Sequence, residues 1–141
     1  MLAGRELTEA QVRQRLARRG YDQPDIDQSI DRLKANGTID DARAAAVIAR
    51  RETTVRRRGK GRVSSRLRAA GIAPTVADRT VEQLFQEVDA DALLAASLEK
   101  RLRGRTAIDD KELQRLYRYL VGQGFEPDRV LAKLRSKRTR P

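Results

Sequence analysis

The sequence contains no cysteine and no histidine, and its aromatic residues are limited to three tyrosines and two phenylalanines. Without cysteine there is no disulfide framework and no thiolate chemistry, and the usual zinc sites lose both their sulfur and their nitrogen ligands. So few aromatic side chains argue against a thick globular core and against a base-stacking platform for single-stranded nucleic acid. We therefore expect a thin, elongated protein that carries no metal and no cofactor.

Long apolar runs are also missing. The longest, at 44–49, is far shorter than the roughly 20 residues that span a bilayer. The N-terminus lacks the apolar region of a signal peptide, and no heptad seam marks a coiled-coil interface. The sequence predicts a soluble, cytoplasmic monomer with no membrane partner.

Catalytic patterns are absent as well, and without histidine or cysteine a nucleophile would have to be Ser, Thr, Lys or a carboxylate. The adjacent aspartates at 40–41 and 109–110 would point about 100° apart on a helix, so they fit helix caps better than one site. Asp27 and Asp31 share a face, but two carboxylates are too few for a divalent metal, so a solvated face or a contact with a neighbouring arginine is expected. The segment 58–62 lacks phosphate-loop spacing. We predict a protein that is not an enzyme.

One phrase, however, occurs three times: a leucine, three residues, a glycine and a large apolar residue. The three glycines, Gly20, Gly71 and Gly124, lie 51 and then 53 residues apart. Glycine supplies the left-handed position that ends a helix, and the apolar residue folds back onto the last turn, so Tyr21 and Phe125 are expected to be buried. A proline follows each glycine by three or four residues and fits the first turn of the next helix.

This period predicts an all-α protein of about eight helices, arranged as three tandem helix-turn-helix-like repeats of three, three and two helices. The predicted boundaries are 1–58, 59–105 and 106–141. Thr8 with Gln11 reads as a capping box, and Asp109 with Glu112 as a capping pair. The last seven residues, 135–141, read as a frayed basic tail.

The net charge of +11 is concentrated in two stretches. Residues 50–68 hold nine basic residues and one acidic, and residues 129–141 hold six basic and none acidic. Both stretches predict surfaces that face an anionic partner, and the Gly-Lys-Gly segment at 59–61 would let the backbone approach that partner closely. The candidate contact residues are Arg50, Arg56, Arg57, Arg58, Lys60, Arg62, Arg66 and Arg68, with Lys133, Arg135, Lys137 and Arg138 second.

The partner could be an acidic protein or a nucleic acid, either single- or double-stranded DNA bound mainly through its backbone. A sequence-reading helix is poorly supported, because helix 74–87 offers only Thr75, Asp78 and Arg79. The third alternative is a scaffold module whose basic face only keeps it soluble.

Four phrases together resemble the RecX family, the regulatory proteins of the RecA recombinase, over residues from about Arg5 to Lys137. The matching phrases are Leu16-x-x-x-Gly20-Tyr21, Gly37-Thr38-Ile39-Asp40-Asp41-x-Arg43, Arg58-Gly59-Lys60-Gly61-Arg62-Val63-x-x-x-Leu67-x-x-x-Gly71-Ile72, and Leu116-Tyr117-Arg118-Tyr119-Leu120-x-x-x-Gly124-Phe125.

The resemblance implies an elongated, curved array of three-helix units that binds the RecA filament along its groove. It implies a non-enzymatic regulator that holds back ATP hydrolysis and strand exchange or promotes filament disassembly, and that also touches DNA. The sequence departs from the family at Ala44, where an aromatic residue is usual. In the family, the aromatic residue at this position would either pack between units or contact the partner.

Overall fold

A computed structural model describes residues 6–138, which form eight helices and no sheet. Arg5, where the resemblance begins, and residues 139–141 of the predicted tail lie outside the described residues. The all-α prediction is confirmed. The helices are α1 (Glu9–Arg18), α2 (Gln23–Ala35), α3 (Asp41–Thr54), α4 (Lys60–Ala69), α5 (Pro74–Glu87), α6 (Ala90–Leu102), α7 (Asp110–Gly122) and α8 (Pro127–Arg135).

All three repeated phrases form the predicted glycine turns. Gly20, Gly71 and Gly124 have φ of +93°, +85° and +98°, and the N–H of the apolar residue after each glycine donates to the carbonyl of the phrase's leucine. This is the hydrogen-bond pattern of a Schellman C-cap. The prolines lie in the first turns of α2, α5 and α8.

Acidic and hydroxyl side chains start the helices as predicted. Thr8 and Gln11 form the reciprocal capping box at α1. Asp40 accepts a hydrogen bond from the N–H of Arg43 at 3.1 Å, and Asp109 accepts one from the N–H of Glu112 at 2.9 Å. The first aspartate of each pair therefore acts locally as a cap, because a carboxylate satisfies helix N–H groups that lack an intrahelical partner.

The buried apolar residues form three separate cores in chain order. The N-terminal group, α1 and α2, encloses Val12, Ile26 and Ile30. The middle group, α3 to α5, has a second core, and the C-terminal group, α6 to α8, has a third. The accessible surface is 9579 Å², whereas a compact chain of 15.9 kDa would expose about 7,400 Å². The excess agrees with an open array, and its curvature stays a prediction.

This grouping cuts across the predicted repeat boundaries at residues 58 and 105, because α3 and α6 each pack with the helices that follow them. The division into folding domains stays a prediction. On α3, Ala45 and Ala49 are buried in the middle core, and their small side chains let the helix approach α4 and α5 closely. Ala44 is also fully buried, so the position where the family usually has an aromatic residue lies inside the protein.

The grouping of the helices also explains why Tyr21 is exposed. Phe125 is buried as predicted, but Tyr21 is 55% exposed, so its expected burial is wrong. Within the described residues, the N-terminal group has no helix that corresponds to α3 or α6, which would cover this turn.

Both pairs of neighbouring groups share one contact, in which the start of a helix lies against the glycine turn of the next group. At the first joint, Thr8 Oγ1 donates a buried 2.6 Å hydrogen bond to the carbonyl of Ala70, and a Cβ atom on Gly71 would overlap Cβ of Ala10. Glycine is therefore needed there for space as well as for its positive φ.

The second joint places the start of α4 against the turn between α7 and α8. The N–H groups of Gly59 and Gly61 donate to the carbonyls of Gln123 and Gly124 at 2.8 and 3.1 Å. A Cβ atom on Gly59 would lie 2.6 Å from the carbonyl carbon of Gly124. The backbones thus meet at a distance that only glycine allows.

Candidate partner-binding surface

The first eight candidate residues lie at the end of α3, in the middle linker (residues 55–59) and on α4. All eight belong to the middle group, whose basic surface we define by these residues, and all but one of them are exposed. The exposed ones are Arg50, Arg56, Arg57, Lys60, Arg62, Arg66 and Arg68.

Arg58 is the half-buried member of this set, and it has a structural partner. Its Nη1 lies 3.3 Å from Oε1 of Glu52, whose side chain is only 4% exposed, and Arg56 Nε lies 3.5 Å from Oε2 of the same carboxylate. The backbone N–H of Arg58 also donates to the carbonyl of Glu52 at 3.0 Å. A nearly buried charge needs such pairing, so Arg58 helps to hold the linker, and only its exposed edge is left for a partner.

The Gly-Lys-Gly segment corrects one expectation. Its backbone was predicted to approach an external partner, but Gly59 and Gly61 are hydrogen-bonded to the turn at Gly124 within the same chain. Their lack of side chains serves the second joint. This contact fixes the start of α4 and with it the direction of the arginines that follow.

On α4 the predicted division between an apolar and a basic face is confirmed. Val63 and Leu67 are fully buried, while Arg62 and Arg66, also four residues apart, are exposed. Within residues 6–138 neither arginine has an acidic group at salt-bridge distance. Two like charges at this spacing repel by a few tenths of a kcal/mol, and an anionic partner would relieve that repulsion.

Arg57 adds a backbone feature to the surface. It is exposed and has φ of +52°, a left-handed conformation that costs a non-glycine residue roughly 1–2 kcal/mol. Glycine would adopt it without that cost. Strain of this kind persists only where the surrounding structure fixes it, and it is found most often at functional positions.

Three further cations of the surface have only loose partners. Arg50 lies 3.9 Å from Glu87 and Arg68 lies 3.8 Å from Asp78, with all four side chains well exposed. Such pairs contribute little to stability. Lys60 Nζ lies 5.8 Å from the ring centroid of Phe85. These cations can therefore turn toward a more strongly anionic partner at little cost.

The second candidate set lies at the end of α8 and just after it. Arg135 is exposed and Lys133 is half-buried, while Arg138 forms two contacts with the carboxylate of Asp110, at 2.8 and 3.2 Å. The carbonyl of Lys137 accepts a 2.9 Å hydrogen bond from the N–H of Ile108.

The expected fraying is therefore wrong for residues 135–138, because the end of α8 is tied to the start of α7. The two candidate sets do not meet in one site. The second joint lies at the start of α8, whereas Lys133 lies about 9 Å along this nine-residue helix, and the other three residues of the set lie at its far end or beyond it.

Chemical sites are not evident in the described part of the chain. Residues 6–138 contain no cluster of acidic side chains that could hold a metal ion. Asp27 has the expected arginine contact, since Arg13 donates to it at 2.6 Å, and this hydrogen bond lowers the pKa of Asp27, helped by one from Gln23. None of the described helices combines the length and apolar character needed to cross a membrane.

One basic segment was missed by the sequence reasoning. Lys100, Arg101, Arg103 and Arg105, at the end of α6 and just beyond it, are all exposed. They lie within residues 69–128, where eleven acidic residues outnumber eight basic ones, so the net charge of that stretch conceals them. A shorter window would have found them.

Comparison with known proteins places the chain in a family. A family model described as RecX, first three-helix domain, matches residues 1–33. The regulatory protein RecX of Halorhodospira halophila is 34% identical over 132 residues, which cover 94% of this chain and 80% of that protein. This chain belongs to the RecX family. The RecX protein of Leptothrix cholodnii is 31% identical, with coverage of 95% and 82%.

A crystal structure of a regulatory protein RecX has the same fold. Its TM-score against this chain is 0.76 at 23% identity, and the match covers 95% of this chain and 66% of that one. At this identity the likeness concerns the fold alone. It agrees with the helical repeat architecture described above.

Proposed function

We propose that this RecX-family protein is a non-enzymatic regulator that binds the RecA recombinase filament along its groove and inhibits ATP hydrolysis and strand exchange. It would act in the cytoplasm as a monomer, in recombination and DNA repair. Membership of the family supports the partner. The observation that carries the proposal is the basic surface of the middle group, where Arg57, Arg62 and Arg66 are exposed without an ion-pair partner in the described chain.

The chemistry of this surface suits a filament that carries carboxylates and phosphates. Arginine presents a planar fork of donors that matches both groups. The fork is presented from a fixed frame, because the second joint holds the start of α4 and Glu52 holds the linker. Less ordering is then required on binding. Repeated weak contacts with successive subunits would add up through avidity.

The test is single-strand-dependent ATP hydrolysis by the cognate RecA, with this protein titrated in at about 150 mM salt. The variant combines Arg57→Gly, Arg62→Ala and Arg66→Ala, which leave the Glu52 contacts and the joint intact. A matched control removes three exposed arginines from the N-terminal group, with Arg15→Ala, Arg19→Ala and Arg32→Ala.

We expect the wild type and the control to inhibit hydrolysis well below the concentration that coats the DNA. The variant should need at least about tenfold more protein, since one charge-assisted contact is worth roughly a factor of ten. Equal inhibition by variant and control would contradict the proposal. Inhibition that begins only when the DNA is saturated would favour the alternative, a largely sequence-independent DNA-binding protein. Absence of any binding would favour the scaffold module.

A further inference from the structure

The basic segment at the end of α6 forms a second exposed group of cations. Lys100, Arg101, Arg103 and Arg105 fall within six residues that contain no acid. Arg105 is paired with Glu112. The other three have no acidic group at salt-bridge distance anywhere in residues 6–138, so their charge is available to a partner.

Arg101 is held in place by an aromatic ring. Its guanidinium carbon lies 3.7 Å from the ring centroid of Tyr119, a half-buried residue of α7. At this distance the guanidinium stacks on the ring, which limits its rotation while leaving its N–H groups to bind an oxyanion. Together with the neighbouring cations, the pair lines a shallow cleft.

This segment corresponds in position to the basic segment of the middle group. The middle linker joins the first and second helices of its group, and the C-terminal linker (residues 103–109) joins the equivalent helices α6 and α7. Each linker has an arginine with φ of +52°, Arg57 in one and Arg103 in the other. The positive φ by itself does not require an arginine, because glycine would adopt this conformation without strain.

We propose that the C-terminal linker is a second contact element, equivalent to the middle linker, and that the two bind successive repeats of one filament. The inference rests on the proposed function. Two equivalent basic elements in successive groups of an array suit a partner that presents the same anionic group at regular intervals. A filament of identical subunits has that property, and simultaneous binding at two elements multiplies their affinities.

The variants remove charge while preserving the backbone. For the C-terminal element they are Arg101→Ala at the end of α6 with Arg103→Gly in the linker, and for the middle element Arg62→Ala on α4 with Arg57→Gly in the linker. Glycine suits both left-handed positions, so the fold should persist, as checked by far-UV circular dichroism and thermal unfolding. The control is Arg15→Ala with Arg32→Ala, which removes the same charge from the N-terminal group.

The measurement is equilibrium binding, by fluorescence anisotropy of the labelled protein, to cognate RecA filaments on poly(dT) with a non-hydrolysable ATP analogue. Poly(dT) alone is the second probe. Each linker variant should bind filaments at least about tenfold more weakly than the control, and the combination of both should bind more weakly than either. Tyr119→Phe, which keeps the ring, should bind like the wild type, whereas Tyr119→Leu should weaken binding.

Two results would overturn this inference without affecting the proposed function. In the first, the C-terminal variant binds filaments as tightly as the control does. In the second, it loses as much affinity for bare poly(dT) as for filaments, which would make the linker a nucleic-acid site. In both cases a weakened middle variant would leave the proposed function standing. If the wild type binds filaments no better than bare poly(dT), the proposed function fails and this inference fails with it.

Discussion

Replacing Gly59 with alanine should separate α4 from the turn that it contacts in the C-terminal group. The added Cβ atom would lie 2.6 Å from the carbonyl carbon of Gly124 and 2.7 Å from the N atom of Phe125. Both are backbone atoms in a hydrogen-bonded turn, so no side chain can rotate away. Ordinary carbon contacts begin near 3.5 Å, and α4 must therefore shift by about 1 Å.

That shift affects the two hydrogen bonds of the second joint. The bonds from Gly59 to Gln123 and from Gly61 to Gly124 are 2.8 and 3.1 Å long, and an added ångström takes both beyond the usual limit for N–H···O contacts. Each is worth about 1 kcal/mol, and alanine is also a poorer N-cap than glycine. We expect the free energy of unfolding to fall by about 2–3 kcal/mol, which corresponds to a fall of roughly 5–10 °C in the thermal unfolding midpoint.

The assay is urea unfolding followed by far-UV circular dichroism, with Gly122→Ala as the control. Gly122 lies at the end of α7, and a Cβ atom there would meet nothing within 4 Å, so this change should be neutral or stabilising by up to about 1 kcal/mol. If Gly59→Ala is as stable as the wild type, the close backbone contact does not hold the two groups together, and the argument for a fixed α4 fails.

Three other changes test local contacts. Glu52→Gln leaves the half-buried Arg58 without its carboxylate and should cost about 1–3 kcal/mol in urea unfolding; an unchanged midpoint would contradict the pairing. Thr8→Val removes both the α1 cap and the buried hydrogen bond of the first joint, and should cost about 1–3 kcal/mol by the same measure. Arg13 lowers the pKa of Asp27, so their contact stabilises the protein above the ordinary aspartate pKa and is lost as pH falls through the lowered one. Arg13→Ala should raise that pKa in an NMR titration and weaken the loss of stability in acid, and an unmoved pKa would refute the contact.

The local features of the fold could be predicted because each depends on neighbouring residues. The Schellman turn at Gly20 needs only hydrogen bonds within residues 16–21, from Tyr21 to Leu16 and from Gly20 to Ala17, and the capping box needs only Thr8 and Gln11. The assignment of α3 to its group could not be predicted in this way. It depends on how Ala45 packs against helices that follow later in the chain. The spacing of the glycines does not indicate at which residue a repeat begins.

The basic surface was partly predictable for the same reason. Charge density identified the stretch that contains Arg57 and Arg62, but it could not separate Arg58 from them. That distinction depends on Glu52, which lies six residues earlier and is nearly buried. The cations near Arg101 were hidden because charge was averaged over a long stretch, whereas a partner responds to charge within about a Debye length.

The helices that make the two joints differ from α7 at one position. The second residue of the helix that makes each contact is small, Ala10 in α1 and Gly61 in α4. The equivalent residue of α7 is Lys111. Its long, exposed side chain would lie between the backbone of α7 and that of an approaching glycine turn. A glycine turn of a second copy of the chain would have to displace this side chain to approach α7 as closely as the existing groups approach each other. This asymmetry favours a monomer that binds along a filament over one that extends itself, because only the partner then repeats.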